Sequence, residues 1–154
     1  ITFNTTIANM NHYKSGIALS HDKMVRATAE EIKIMHTKCM GPDDMIANLS
    51  GGNQQKAIIA REVEQDSSLM IFVQPTRGLD IGAIENIHKQ IVAERDKGKA
   101  ILLISLELDE IMNCADTIAV IYNGSIQKIA KASELTTNEV GEFMMGVKNK
   151  EKEA

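Results

Sequence analysis

The chain has 154 residues and a net charge of −4, with 44% hydrophobic and 25% charged side chains, which suits one globular domain or part of a larger one. The acidic balance gives no broad basic surface for nucleic acid. No apolar run approaches the roughly 20 residues of a membrane span, and no secretory leader opens the chain.

The first 47 residues carry only helical signals. TTIANMNHYK (5–14) reads as a helix with a Thr cap and apolar Ile7 and Met10, stopped at Gly16. Ser20 is the predicted N-cap of a longer helix, HDKMVRATAEEIKIMHTKCM (21–40). Met24, Ala27, Ile32 and Met35 give it an apolar face, and Gly41-Pro42 ends it. Glu30 and Glu31 read as a solvated face of this helix.

Beyond residue 48 the pattern alternates between helix and strand. A helix over 52–65 is predicted to bury Ala57, Ile58, Ile59 and Ala60, and a short apolar strand follows at 68–73. A second helix covers 82–97 and stops at Gly98. The apolar run KAILLIS (99–105) predicts a strand buried on both faces. A short helix at 107–114 leads to a strand at 116–122, and Asn123-Gly124 predicts a hairpin back through 125–130. A last helix lies within 133–146, and the Lys/Glu tail, 148–154, is expected to be mobile. The fold class expected is α/β with a mainly parallel sheet, preceded by a helical subdomain over 1–47. Because the chain opens at Ile1 without a Met, it is expected to be a piece of a longer protein.

Several residue types lack a chemical pattern. Cys39 and Cys114 have no paired spacing and read as reduced thiols. The four histidines lack ligand spacing, so no structural metal is expected. Nine Met residues and no Trp suggest thioethers filling irregular core gaps.

The segment that carries chemistry is NLSGGNQQKAIIARE (48–62). Ser50-Gly51-Gly52 stands at a predicted helix start, where backbone N–H groups are unpaired and the helix dipole adds positive charge. Glycines allow close approach and the serine adds a hydroxyl donor, so the segment suits a phosphate, although a simple cap turn has the same composition.

Three motifs follow in order: LSGGNQQKAIIARE, then LMIFVQPTRGLDIGA (69–83), then ILLISLELDEI (101–111). Together they resemble the second half of an ATP-binding-cassette (ABC) ATPase, whose signature motif is LSGG. NQQK and PTRGLD are similar to the importer group for simple sugars, and the Gln74 form with GAIENIHKQI to its nucleoside-uptake subgroup. The resemblance runs from about Thr5 to Val147, and in that group two cassettes are fused in one chain, of which this segment resembles the second.

The resemblance implies a partial P-loop NTPase domain over 48–147 that lacks the phosphate-loop strand. No Gly-x-x-x-x-Gly-Lys-Ser/Thr occurs, and Lys56 is not preceded by glycine. In the family, ATP is sandwiched between two cassettes. Ser50, Gly51 and Gly52 would then bind, in trans, the γ-phosphate of ATP held by the partner cassette, with Asn53 and Gln54 nearby. Gly78, Leu79 and Asp80, with Thr76 and Arg77, would form the D-loop at the cassette interface.

Three further positions depart from the family. Val73 and Gln74 stand where an aspartate would position Mg²⁺ and a glutamate would act on the attacking water. Valine offers no acceptor, and glutamine cannot take a proton near neutrality. Leu106 replaces the switch histidine that would contact the γ-phosphate, and His88, mid-helix, reads as a packing or surface residue. Glu107, Asp109 and Glu110 read as acids favoured at a helix start. No catalytic residue and no metal ligand is therefore assigned to this chain.

ATP and Mg²⁺ are expected cofactors of the full-length importer ATPase, and neither is expected to bind this segment alone, which would be inactive. The implied partners are the other cassette, membrane permease subunits and, indirectly, an external solute-binding protein, with no nucleic acid. The location would be peripheral, on the cytoplasmic face of a bacterial cell membrane. The alternative is a non-catalytic module docked on the permease. The missing strand would leave open sheet edges, so an oligomer or a rearranged sheet is expected.

Overall fold

The computed structural model of the chain describes residues 1–147. The tail expected to be mobile lies outside them. The chain divides into two compact units, Ile1–Leu102 and the segment from Leu103 onward, so the division near residue 48 falls inside the first.

The first unit opens with α1 (Thr2–Thr6), a 3-10 helix over Ile7–Tyr13, and a small antiparallel hairpin of β1 (Lys14–Ser15) and β2 (Ala18–Leu19). The single helix predicted over 5–14 does not form. Thr5 and Thr6 donate their hydroxyls to the Thr2 carbonyl rather than capping a new helix. Gly16 supplies a left-handed φ of 66° for the hairpin turn, which Ser20 N–H closes by donating to Tyr13 O at 2.7 Å.

Helix α2 (His21–Ile34) starts where predicted, with Lys23 N–H donating to the Ser20 hydroxyl. It buries Met24 and Thr28, and Met35 follows as a buried C-cap. It ends earlier than expected because His36 takes a left-handed φ of 49°. Thr37 N–H then donates to Ile32 O at 2.9 Å and His36 N–H to Lys33 O at 3.2 Å, which satisfies the last carbonyls in a Schellman pattern.

Helix α3 (Gly51–Glu64) packs against α1 and α2. It buries Lys56, Ala57, Ile59 and Ala60, whereas Ile58, expected in the core, faces out. Strand β3 (Leu69–Val73) buries Met70 and Phe72 and exposes Leu69, Ile71 and Val73 on the opposite face. Helix α4 (Ile81–Asp96) packs against α3 through a face that includes Ala83, Ile87 and Ile91, and Gly98 turns the chain at φ 89° into β4 (Ala100–Ile104). Strands β3 and β4 pair, with Ala100 N–H donating to Ser68 O, so they start side by side as in a βαβ unit. β4 is not buried on both faces as KAILLIS suggests, since Leu102 and Ile104 are each 48% exposed.

The second unit contains α5 (Leu108–Cys114), β5 (Thr117–Tyr122), β6 (Ser125–Lys131) and α6 (Thr137–Met144). β5 and β6 form an antiparallel hairpin, and Asn123 and Gly124 at φ 48° and 74° give the two left-handed residues of a type I′ turn. Ile118 and Val120 from β5 pack with Leu135 and Val140, and Leu108, Ile111 and Phe143 close over them. Thr136 and Glu139 form a reciprocal capping box at the start of α6.

The described strands form three two-stranded ladders rather than one continuous sheet, and two of the three are antiparallel. The methionines divide: Met24, Met35 and Met70 are buried, while Met40, Met45 and Met145 are exposed.

Candidate nucleotide site

Ser50 is the N-cap of α3, with extended backbone at φ −60° and ψ 156°. Its hydroxyl does not cap the helix, although Ser20, Asp80 and Thr136 all cap theirs. The helix start therefore keeps unpaired donors that a serine in this position normally satisfies. Ser50 and Gly51 are exposed. At Gly51 an added methyl group would meet nothing within 4 Å, so the backbone there is open to a close anion.

Gly52 brings two predicted motifs together. A methyl group placed there would lie 3.5 Å from Ala83 Cβ, 3.7 Å from Leu79 Cδ2 and 4.0 Å from Asp80 Oδ2. The signature start thus lies against the end of the PTRGLD loop. That loop turns through Gly78 at φ 73° and is tied by Arg77 N–H to Gln74 O and Leu79 N–H to Thr76 O. Thr76 and Pro75 are buried and Arg77 is exposed. Asp80 accepts from Ala83 N–H at 2.9 Å and so is the N-cap of α4.

Two expected contact residues are engaged within the protein. Gln54 Nε2 donates to Leu49 O at 2.9 Å. Asn53 accepts from Lys38 N–H and donates to the Ser50 hydroxyl. Lys56, 7% exposed, donates to His36 O at 3.1 Å, where an ammonium meets the carbonyl end of α2. The signal in the sequence for this lysine is its position one helical turn after Asn53.

At the end of β3, Val73 is 62% exposed, and Gln74 follows with a left-handed φ of 51°. In the second unit Leu106 is 72% exposed. Its neighbours Glu107 and Asp109 are also exposed, and Asp109 and Glu110 stand in the first turn of α5, where Glu110 is buried. His88 is half-buried on α4.

The first unit also holds a charged cluster that sequence reasoning missed. Glu94 is 0% exposed and receives Lys97 at 2.6 Å and Lys99 at 2.7 Å, while Lys99 also meets Asp66 at 2.9 Å. Burial pushes the Glu94 carboxyl up, but the hydrogen bonds and charges of Lys97 and Lys99 outweigh it and hold the group below the usual carboxylate range. The hydrogen bond to Glu94 raises Lys99 above the ordinary lysine value, and that from Lys99 lowers Asp66. Burial, then repulsion from Glu94, raises Glu31 on α2.

The residues present fit half of a nucleotide site. The uncapped start of α3 suits the phosphate of ATP, with the Ser50 hydroxyl and the first backbone amides as donors. The end of β3 does not suit Mg²⁺, because Val73 and Gln74 offer no carboxylate. Among the described residues no group of three His, Cys, Asp or Glu side chains could hold a metal ion, and no helix is long and apolar enough to cross a membrane.

A βαβ unit preceded by a Ser-Gly-Gly helix, with the PTRGLD loop between its first strand and its helix, fits the ABC ATPase class, and the chain belongs to that family. Within it, the chain matches the C-terminal region of import ATP-binding proteins for sugars and nucleosides at 36–55% identity. The nucleoside import ATP-binding protein NupA of Lactococcus lactis subsp. cremoris (strain MG1363) is 45% identical over 95% of this chain and 30% of its own length. The guanosine import ATP-binding protein NupO of Bacillus subtilis (strain 168) is 55% identical over 67% of this chain and 20% of its own. The chain thus spans less than a third of the length of these curated relatives. The dimeric ATP-binding cassette MJ0796, solved bound to ADP and Pi, superposes with a TM-score of 0.69 at 20% identity, covering 86% of this chain and 57% of that one, a likeness of fold. No protein-family model matches the chain.

Proposed function

We propose that this chain supplies the signature half of an ATP site in an importer of nucleosides or simple sugars. Ser50, Gly51 and Gly52 donate to the γ-phosphate of ATP held by a second cassette of the same chain, and Gly78, Leu79 and Asp80 line the interface between the two. The observation that carries this is the uncapped, exposed start of α3 in contact with the D-loop. When bound there, ATP supplies the phosphoryl bond whose hydrolysis drives transport. The part of this chain is to place hydrogen-bond donors where charge develops on the transferring phosphate.

The chain's own metal and water side, at Val73, Gln74 and Leu106, hydrolyses poorly. Valine and leucine provide no acceptor for a metal's water shell, and the Gln74 amide accepts no proton. The machine is therefore asymmetric, with one working ATP site completed by this chain. Its further partners are the permease subunits, reached through the helical subdomain over 1–47, and indirectly an external solute-binding protein. It sits on the cytoplasmic face of the membrane. A nucleoside as the solute is supported by the 45% and 55% identity to the nucleoside and guanosine import proteins.

Docking on the permease without any catalytic contribution is the second reading. It is favoured by a cleft of about 420 Å³ within the first unit, lined by Phe3, His21, Asp43, Met45 and their neighbours, beside exposed Met40 and Met45.

The discriminating experiment is ATPase activity of the full-length chain with its permease. Ser50→Arg blocks the donors and lowers kcat by about 10²–10³-fold, while Gln74→Glu alone leaves the rate unchanged because Val73 is still no metal acceptor. An unchanged rate in Ser50→Arg favours the docking module. Micromolar MgATP affinity in the isolated chain contradicts the split site.

A further inference from the structure

We propose that Asn53 is a positioning residue that sets the Ser50 hydroxyl as an outward-facing donor, an inference resting on the phosphate-binding reading of Ser50. The orientation of the Asn53 amide is fixed by its neighbours. Lys38 N–H lies 3.0 Å from Oδ1, and a backbone amide can only donate, so the oxygen faces Lys38 and the nitrogen faces Ser50. Asn53 Nδ2 then donates to Ser50 Oγ at 2.9 Å.

A hydroxyl has one proton and two lone pairs. With one lone pair taken by Asn53, the Ser50 proton turns away from that amide. Among the described residues that proton is donated to no group, and Ser50 is exposed. The hydroxyl is thereby left to donate to an acceptor arriving from outside, which is the polarity an anionic phosphate requires.

The far end of Asn53 is anchored just as firmly. The turn over 36–38 is held to α2 by Thr37 N–H on Ile32 O and to α3 by the buried Lys56 ammonium on His36 O at 3.1 Å. Asn53 and Lys56 stand one helical turn apart on α3, so both grip the same turn. The end of α2 is connected through Asn53 to the signature hydroxyl. An aspartate at this position would keep the acceptor for Lys38 but lose the donor, and its carboxylate would accept a hydrogen bond from the Ser50 hydroxyl, turning it inward.

The test is a double-mutant cycle on kcat and KM for ATP in the full-length chain with its permease, with amide exchange at Lys38 as the structural readout. Ser50→Ala is expected to lower kcat about 10²-fold, and Asn53→Ala about tenfold. The double variant is expected to be no worse than Ser50→Ala alone, because Asn53 acts through that hydroxyl. Asn53→Asp is expected to retain exchange protection at Lys38 and still lose at least as much kcat as Asn53→Ala, which a purely structural role does not produce. Losses that multiply in the double variant, or full activity in Asn53→Asp, overturn the positioning role and leave the phosphate reading standing. An unchanged kcat in Ser50→Ala overturns that reading and this inference with it.

Discussion

Glu94 shows at the residue scale how a buried charge becomes a dependence on pH. Its carboxylate is fully buried between Lys97 and Lys99, and Lys99 is itself 10% exposed. The Lys97 contact adds little because that side chain is largely in water. Replacing Glu94 by Gln leaves the Lys99 ammonium without its buried partner. We expect a loss of about 3 kcal/mol, the low end for a broken buried pair because exposed Asp66 remains beside Lys99. The sign follows from linkage. A folded carboxyl held below its ordinary pKa stabilises the protein above that value, and the contribution fades as pH falls through the folded pKa. Lys99, raised, contributes below its ordinary value and loses that contribution as pH rises beyond it. Urea midpoints across the acid range check the Glu94 contribution, since Glu94→Gln is expected to flatten the acid limb. Nothing in the sequence signals this cluster, because the convergence of Asp66 and Lys99 on one point depends on the pairing of β3 and β4.

Helix starts carry the site at the scale of elements, and they differ in what satisfies them. α2, α4 and α6 close their first turn with Ser20, Asp80 and Thr136, whereas α3 begins with Ser50 and stays open. Composition alone did not distinguish these cases, because Ser20 and Ser50 are the same residue in the same position. The difference lies in Asn53, which occupies the Ser50 hydroxyl from one helical turn away. Asp80 raises the reverse question, since a helix cap and an interface residue look alike in sequence. Asp80→Ala should remove the cap of α4 and cost about 1 kcal/mol, whereas Asp80→Asn keeps a capping acceptor and stays within a few tenths. If Asp80 also serves the cassette interface, Asp80→Asn retains its melting temperature but lowers ATPase activity of the full-length chain. Thermal denaturation and turnover of the same two variants separate these roles.

Exposed apolar surface dominates at the scale of the whole molecule. Leu69, Ile71 and Val73 on β3 are 54–62% exposed, and Leu102 and Ile104 on β4 each 48%. Side chains of this kind on a two-stranded ladder favour association with another chain. The isolated chain is expected to self-associate in sedimentation velocity, and Ile71→Lys together with Ile104→Lys should shift it toward monomer; a monodisperse monomer without these changes would count against it. Sequence alone determined the order of elements from α3 onward, the hairpin at Asn123-Gly124, the cap of α2 and the family, because each rests on local backbone chemistry or on contiguous motifs. Tertiary structure decided where α2 stops, which face of β4 is open and how the strands pair. Those outcomes depend on partners distant in the chain: a left-handed turn at His36 gripped by Lys56, and a β4 strand whose start pairs with Ser68. It also decided that Asn53 faces Ser50 and Lys38, because a side-chain amide takes its direction from whichever backbone group reaches it.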